Sequence, residues 1–188
     1  EATRADMERM THFSTAPDVI AVYRIQEHSV SPQQLCGHLS LALDRIQDPG
    51  NLGTIIRLAD WFGIHDIVCS PDTVDLYNPK VVQATMGAIA RVRVSYTPLP
   101  PILAAIRDAG GHIYGTFLDG TDIYSEPLSP HGIIVMGNEG SGISDAVAAT
   151  VDRRLLIPSY PAGTPTVESL NVAIATAITV AEFRRQSL

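Results

Sequence analysis

From Leu39 onward the chain alternates short, almost wholly apolar runs with longer stretches whose apolar residues recur every three or four positions. The first pattern marks strands buried on both faces, the second amphipathic helices. Runs at 39–46, 64–70, 91–96, 112–118, 132–137 and 154–158 read as strands. Between them Leu52, Ile55, Ile56, Ala59 and Phe62 form one helical face, with Gly63 placed to end it. Asn78-Pro79 sets a capping side chain before a proline at the first helical position. Leu103 to Ala109 runs into Gly110, and Ser144 is placed to cap a short helix reaching Val151. The last helix, from about Thr166 to Gln186, carries Leu170, Val172, Ala173, Ile174, Ala177, Ile178, Val180 and Ala181. It is apolar nearly all round and is expected to be buried on most sides. The alternation predicts an α/β fold, a mostly parallel sheet with helices on both faces.

Residues 1–37 differ in texture. Thr3-Arg4-Ala5-Asp6 has the spacing of a capping box, followed by Met7, Met10 and Phe13 at helical intervals. Val19 to Tyr23 reads as a short strand, and the polar stretch 26–37 as a linker. Two regions are therefore expected, an N-terminal helix, strand and linker over 1–37 and an α/β domain over 38–188.

Composition narrows the function classes. At 45% hydrophobic and 18% charged residues over 188 positions, the chain is globular rather than disordered. No apolar run reaches the ~18 residues of a membrane span, and no secretory signal opens it. Two cysteines, Cys36 and Cys69, are too few for a disulfide framework and read as inert thiols of a cytoplasmic protein. The six histidines lack ligand spacing, so no metal site is expected. The net charge of −7 argues against broad nucleic-acid binding. Arginine pairs at 91 and 93, 153 and 154, and 184 and 185 are either phosphate contacts or solvated rim charges.

Three segments carry candidate chemistry. Leu41 to Arg57 reads as a strand, a tight Asp48-Pro49-Gly50-Asn51 turn and a helix, leaving Asn51 and Arg57 near a strand's carboxyl end. Open α/β sheets bind their ligands at that end. Gly132 to Ser144 is a buried strand entering the glycine-rich loop Gly137-Asn138-Glu139-Gly140-Ser141-Gly142. The loop has the G-x-x-x-x-G spacing of a P-loop, but Ile143-Ser144 follows where lysine is required. What remains is a loop offering backbone groups and one carboxylate, Glu139. The third segment is Leu155-Leu156-Ile157-Pro158 followed, after a loop, by Glu168-Ser169-Leu170-Asn171-Val172-Ala173. Taken alone, Ser169 and Asn171 there read as helix caps, with a role in a site as the alternative.

In this order the three segments resemble motifs 1, 2 and 3 of the SpoU/TrmH family of RNA ribose 2′-O-methyltransferases, in the SPOUT superfamily. The resemblance spans about residues 38–186 and includes Tyr77-Asn78-Pro79-Lys80 and Ala84-Thr85-Met86-Gly87-Ala88. The loop Ser159 to Glu168 is longer and richer in proline and glycine than the family's usual connection. The resemblance implies the SPOUT fold with its C-terminal trefoil knot, S-adenosylmethionine as cofactor, structured ribosomal or transfer RNA as substrate, and a homodimer. It implies cofactor contacts from Gly137, Ile157 and Leu170, with Thr116, Met136 and Gly140 beside them. Gly137 is expected to stay small because a side chain would fill the cofactor's space. Arg57 is the family's catalytic arginine, acting on the 2′-hydroxyl either as base or electrostatically; a pair with Asp60 or a stack on Trp61 is the structural alternative. Asn51 is expected to position Arg57 or the ribose, Glu139 to orient Arg57, and Ser169 and Asn171 to hold substrate phosphate or loop backbone. The first 37 residues are expected to lead out of an N-terminal RNA-binding domain. The alternative function is an inactive RNA-binding protein of the same fold.

Overall fold

A computed structural model describes residues 1–11, 14–25, 28–161, 164 and 167–188. Helix α1, Arg4–Met10, opens behind the expected capping box: Thr3 Oγ1 accepts the Asp6 N–H, and the Asp6 carboxylate accepts the Thr3 N–H at 3.0 Å. Phe13 lies outside the described residues. Val19 to Tyr23 is not a strand: it pairs with no described residue, and Val22 is 96% exposed. Strand preference expresses fit against a neighbouring strand, and none lies alongside. The linker reading also needs correction. Ser31 caps a short helix, α2 (Pro32–Cys36), whose Leu35 is fully buried.

The α/β body then runs β1 (Leu39–Asp44), α3 (Pro49–Trp61), β2 (Asp66–Cys69), α4 (Pro79–Ala84), a 3-10 turn at Ala88–Ala90, β3 (Arg93–Tyr96) and α5 (Leu99–Asp108). It continues through β4 (Ile113–Asp122), β5 (Gly132–Gly137), α6 (Asp145–Ala148), β6 (Arg153–Leu156) and α7 (Val172–Gln186). All six strands lie parallel in the order β3-β2-β1-β5-β4-β6. Every residue of β1 is buried, as a central parallel strand requires. Leu41, Leu43, Ile134 and Met136 join one core with α3, α4 and α7. Ala42, Ile133 and Val135 face the other, beneath α2, α5 and α6.

Several boundaries move for identifiable reasons. The expected turn at Asp48-Pro49-Gly50-Asn51 is already helix: Asp48 caps it, accepting the Asn51 N–H at 2.8 Å, and Pro49 needs no donor in the first turn. Likewise α5 begins at Leu99, with Pro100 and Pro101 in its first turn. Ser144 stands at the start of α6 without a side-chain capping bond, and that helix stops at Ala148. Strand β4 passes Leu118 and reaches Asp122; both Thr116 and Thr121 pair with Leu155, so the residues between are an excursion. Helix α7 starts at Val172, well after 166, and Leu170 is outside it. Its burial is one-sided: Val172, Ala173, Thr176, Thr179, Val180, Glu182 and Phe183 are buried, whereas Ile174 is 53% exposed.

Candidate active site

The chain leaves β1 toward β2 on one side of the sheet, while β5 and β4 occupy the other. Such a switch opens a crevice at the strands' carboxyl ends. A cavity of about 480 Å³ lies there, within the ~300–1,000 Å³ range of small-molecule sites. It is bounded by the ends of β4, β5 and β6, the loop after β5, and the segment before α7. All six expected cofactor residues line it: Thr116, Met136, Gly137, Gly140, Ile157 and Leu170. Glu139 and Ser169 line it too. The sequence reading missed Phe117, Leu118 and Asn138, which also face the cavity. Phe117 and Leu118 closed the apolar run of the expected strand, the one signal that was available.

The β5 loop is folded by Asn138. Its backbone exchanges two hydrogen bonds with Gly142, at 3.0 and 2.8 Å. Its Oδ1 accepts the Gly140 N–H at 2.9 Å, the Ser141 N–H at 3.1 Å and the Ser141 hydroxyl at 3.2 Å. Gly142 takes a φ of +67°, which favours glycine.

Three residues expected to be catalytic form one chain of hydrogen bonds. Asn171 Oδ1 accepts the N–H groups of Ala173 and Ile174 at the start of α7. That fixes Asn171 Nδ2 toward Asn51, which accepts it at 2.9 Å. Asn51 Nδ2 then donates to Glu139 Oε1 at 2.5 Å. The helix N–H donors set both amide orientations, leaving the Glu139 carboxylate as terminal acceptor. Asn171 thus caps α7 and at the same time reaches Asn51, which bridges the other two segments.

Arg57 stays apart. It is exposed and has no hydrogen bond or ion pair with any described residue, so the expected contacts to Asn51 and Glu139 are not made within the chain. Nor are its structural alternatives. Asp60 is taken by Arg91 at 2.6–3.1 Å, and Trp61 is 84% exposed.

The arginine pairs are not open phosphate contacts. Arg91 binds Asp60, Arg93 Asp66, Arg153 Glu126, Arg154 Asp119 and Arg185 Glu182. Arg184 donates to the carbonyls of Phe62 and Gly63. Among the described residues, Arg9, Arg24, Arg57, Lys80 and Arg107 have no such partner. Burial pushes the thiols of Cys36 and Cys69 up, keeping them protonated, and no described cluster could hold a metal ion. No helix of the described residues is long and apolar enough to cross a membrane.

Comparison with known proteins places this geometry. The family model described as SpoU rRNA Methylase matches residues 38–181. The Bacillus subtilis 23S rRNA (guanosine(2553)-2′-O)-methyltransferase RlmP is 34% identical over 176 residues, covering 93% of this chain and 68% of its own length. A putative RNA methyltransferase of the TrmH family from Porphyromonas gingivalis superposes with a TM-score of 0.80 at 42% identity, over 96% of this chain and 71% of that one. An AdoMet-bound rRNA methyltransferase from Sinorhizobium meliloti gives 0.75 at 35% identity, over 85% and 59%. Two further curated relatives are spanned over 53% and 58% of their length. With three-quarters of its residues inside the family match, and residues of its second and third motif segments lining one cavity, the chain belongs to the SpoU rRNA methylase family.

Proposed function

We propose that this protein methylates a ribose 2′-hydroxyl of structured RNA, using S-adenosylmethionine. The observation that carries this reading is the Glu139–Asn51–Asn171 chain at the mouth of a cavity lined by Thr116, Met136, Gly137, Gly140, Ile157 and Leu170. The cavity fits the cofactor: Phe117, Leu118 and Leu170 offer an apolar wall to a flat base, and the β5 loop offers main-chain polar groups. When bound, S-adenosylmethionine supplies an electrophilic methyl carbon on a sulfonium. The Glu139 carboxylate, pinned by Asn51, lends negative potential beside that cation. Arg57 supplies fixed positive charge where the 2′-oxygen becomes an oxyanion. Ser169, in the segment before α7, meets the RNA backbone. The inactive alternative has no observation in its favour, since all five residues are present.

The same reading includes a homodimer. The Arg57 side chain has no hydrogen-bond or ion-pair partner among the described residues, while Trp61 on α3 and Ile174 on α7 leave apolar surface uncovered. A partner's cavity is the natural destination for that guanidinium, giving sites built from Arg57 of one protomer and Glu139, Ser169 and Asn171 of the other. The reading also takes in the trefoil knot, in keeping with the return of α7 onto α3 and β5, and a reducing cytoplasm, in keeping with two free thiols.

Methyl transfer from labelled cofactor to intact RNA, lost after RNase treatment, tests the activity. Arg57→Ala should keep cofactor binding while turnover falls about 10²–10³-fold. Co-expressing Arg57→Ala with Glu139→Ala should restore about a quarter of wild-type activity, since half the dimers are mixed and one site in two is intact. A fully active monomer would overturn the shared-site model.

A further inference from the structure

Beyond β1 the chain turns through Arg45 at a φ of +59°, a conformation that suits glycine and strains an arginine. Glycine would make this turn freely, so the side chain has another use. Its guanidinium Nη2 donates to the carbonyl of Gly142 at 3.3 Å, and Nε lies 3.5 Å from Asp44 Oδ1. The Arg45 carbonyl accepts Asn138 Nδ2 at 2.9 Å, while its N–H donates to Ser70 Oγ at 2.8 Å. Asp44, 2% exposed, accepts the Ser144 N–H at 2.7 Å. Asp44 at the end of β1 and Arg45 just after it thus grip the β5 loop at its start, near its end and at the entry to α6. The part of that loop from Asn138 to Gly142 lines the cavity.

We propose that Arg45 is a positioning residue for the cofactor loop, its guanidinium holding the loop at Gly142 in the shape that receives S-adenosylmethionine. Arg45 itself does not line the cavity, so it acts through the loop rather than on the ligand. The inference rests on the cavity being the methyl-donor site.

Arg45→Gly separates the two effects of the residue, because it relieves the backbone and removes the side chain's hold on Gly142, while the main-chain bond to Asn138 stays. The expected result is a melting temperature equal to or above wild type, with S-adenosylmethionine affinity weakened about tenfold by calorimetry. In turnover, KM for the cofactor should rise while kcat stays within about twofold of wild type. Arg45→Lys, which keeps a cation and the strain, should fall between wild type and Arg45→Gly in affinity. A merely structural residue would lose stability and affinity together, and that outcome overturns the proposal. Wild-type affinity in Arg45→Gly overturns it equally. If wild-type protein itself fails to bind S-adenosylmethionine, the reading of the cavity falls and the inference with it.

Discussion

A Cβ built on Gly137 would lie 2.3 Å from the Gly142 carbonyl carbon and 2.3 Å from the Ile143 nitrogen. Main chain cannot step aside as a flexible side chain can, so the loop's own backbone, not the cofactor's volume, demands glycine here. Gly137→Ala is therefore expected to lose cofactor binding together with a drop in melting temperature, about 1–3 kcal/mol from forced overpacking. A variant with native stability but no binding would restore the cofactor-clash explanation. Single residues were legible by type: Asn51, Glu139, Ser169 and Asn171 stand out as polar groups beside apolar element ends, and Arg57 as a cation on a mostly apolar helix. Their connections were not. The Asn51–Glu139 and Asn171–Asn51 bonds join positions 88 and 120 residues apart, and no local pattern encodes which amide faces which.

Among the elements, strands and helices were recognisable wherever burial imposes a period, and ends were missed where a proline or a tertiary contact decides. α2 escaped notice because one turn shows no period; its place is set by Leu35 in the core and by Gln34 reaching Asp66 at 3.1 Å. α7 was misjudged for the opposite reason. Alanine fits buried and exposed positions alike, and Thr176 and Thr179 sit in the core only because their hydroxyls donate to the carbonyls of Val172 and Ala175. The helix is anchored by Phe183, fully buried and edge-on to Tyr114 with ring centroids 4.8 Å apart. Phe183→Ala should cost about 3–5 kcal/mol in chemical denaturation, from lost burial and a cavity beneath the sheet. A cost below ~1 kcal/mol would mean that α7 is not seated as described. At the sheet's other end Arg93, His38 and Gln34 converge on Asp66, which is fully buried. Burial pushes the Asp66 carboxyl up, but hydrogen bonds from Arg93 and His38 outweigh it and hold the group below the usual carboxylate range. Its stabilisation is present above the unfolded value of ~3.9 and lost as pH falls through the lowered folded value. Glu182, held at about 2 chiefly by Arg185, follows the same sign. Asp66→Asn should lower the melting temperature at pH 7 and flatten its fall below about pH 4; an unchanged acid profile would refute the assignment.

For the whole molecule, a net charge of −7 and six engaged cluster arginines leave little positive surface for RNA. If the five cations without a partner among the described residues all meet phosphate, log affinity should fall against log salt with a slope near −4 per chain. A slope near −8 would show that RNA pulls the paired arginines off their acids. The fold class was legible because alternation and composition act over the whole length, whereas strand order, which sets the crevice, follows from packing alone. One further consequence concerns synthesis. At ~5–20 residues per second, α3 waits on the order of ten seconds after it is made for Asn171 to arrive from 120 residues downstream. β1, β2 and β3 can pair in that interval, but the link from Asn51 to the start of α7 cannot form. A ribosome stalled before residue 171 therefore displays sheet strands without the Asn51–Asn171 link, which closes only after nearly all of this chain has been translated.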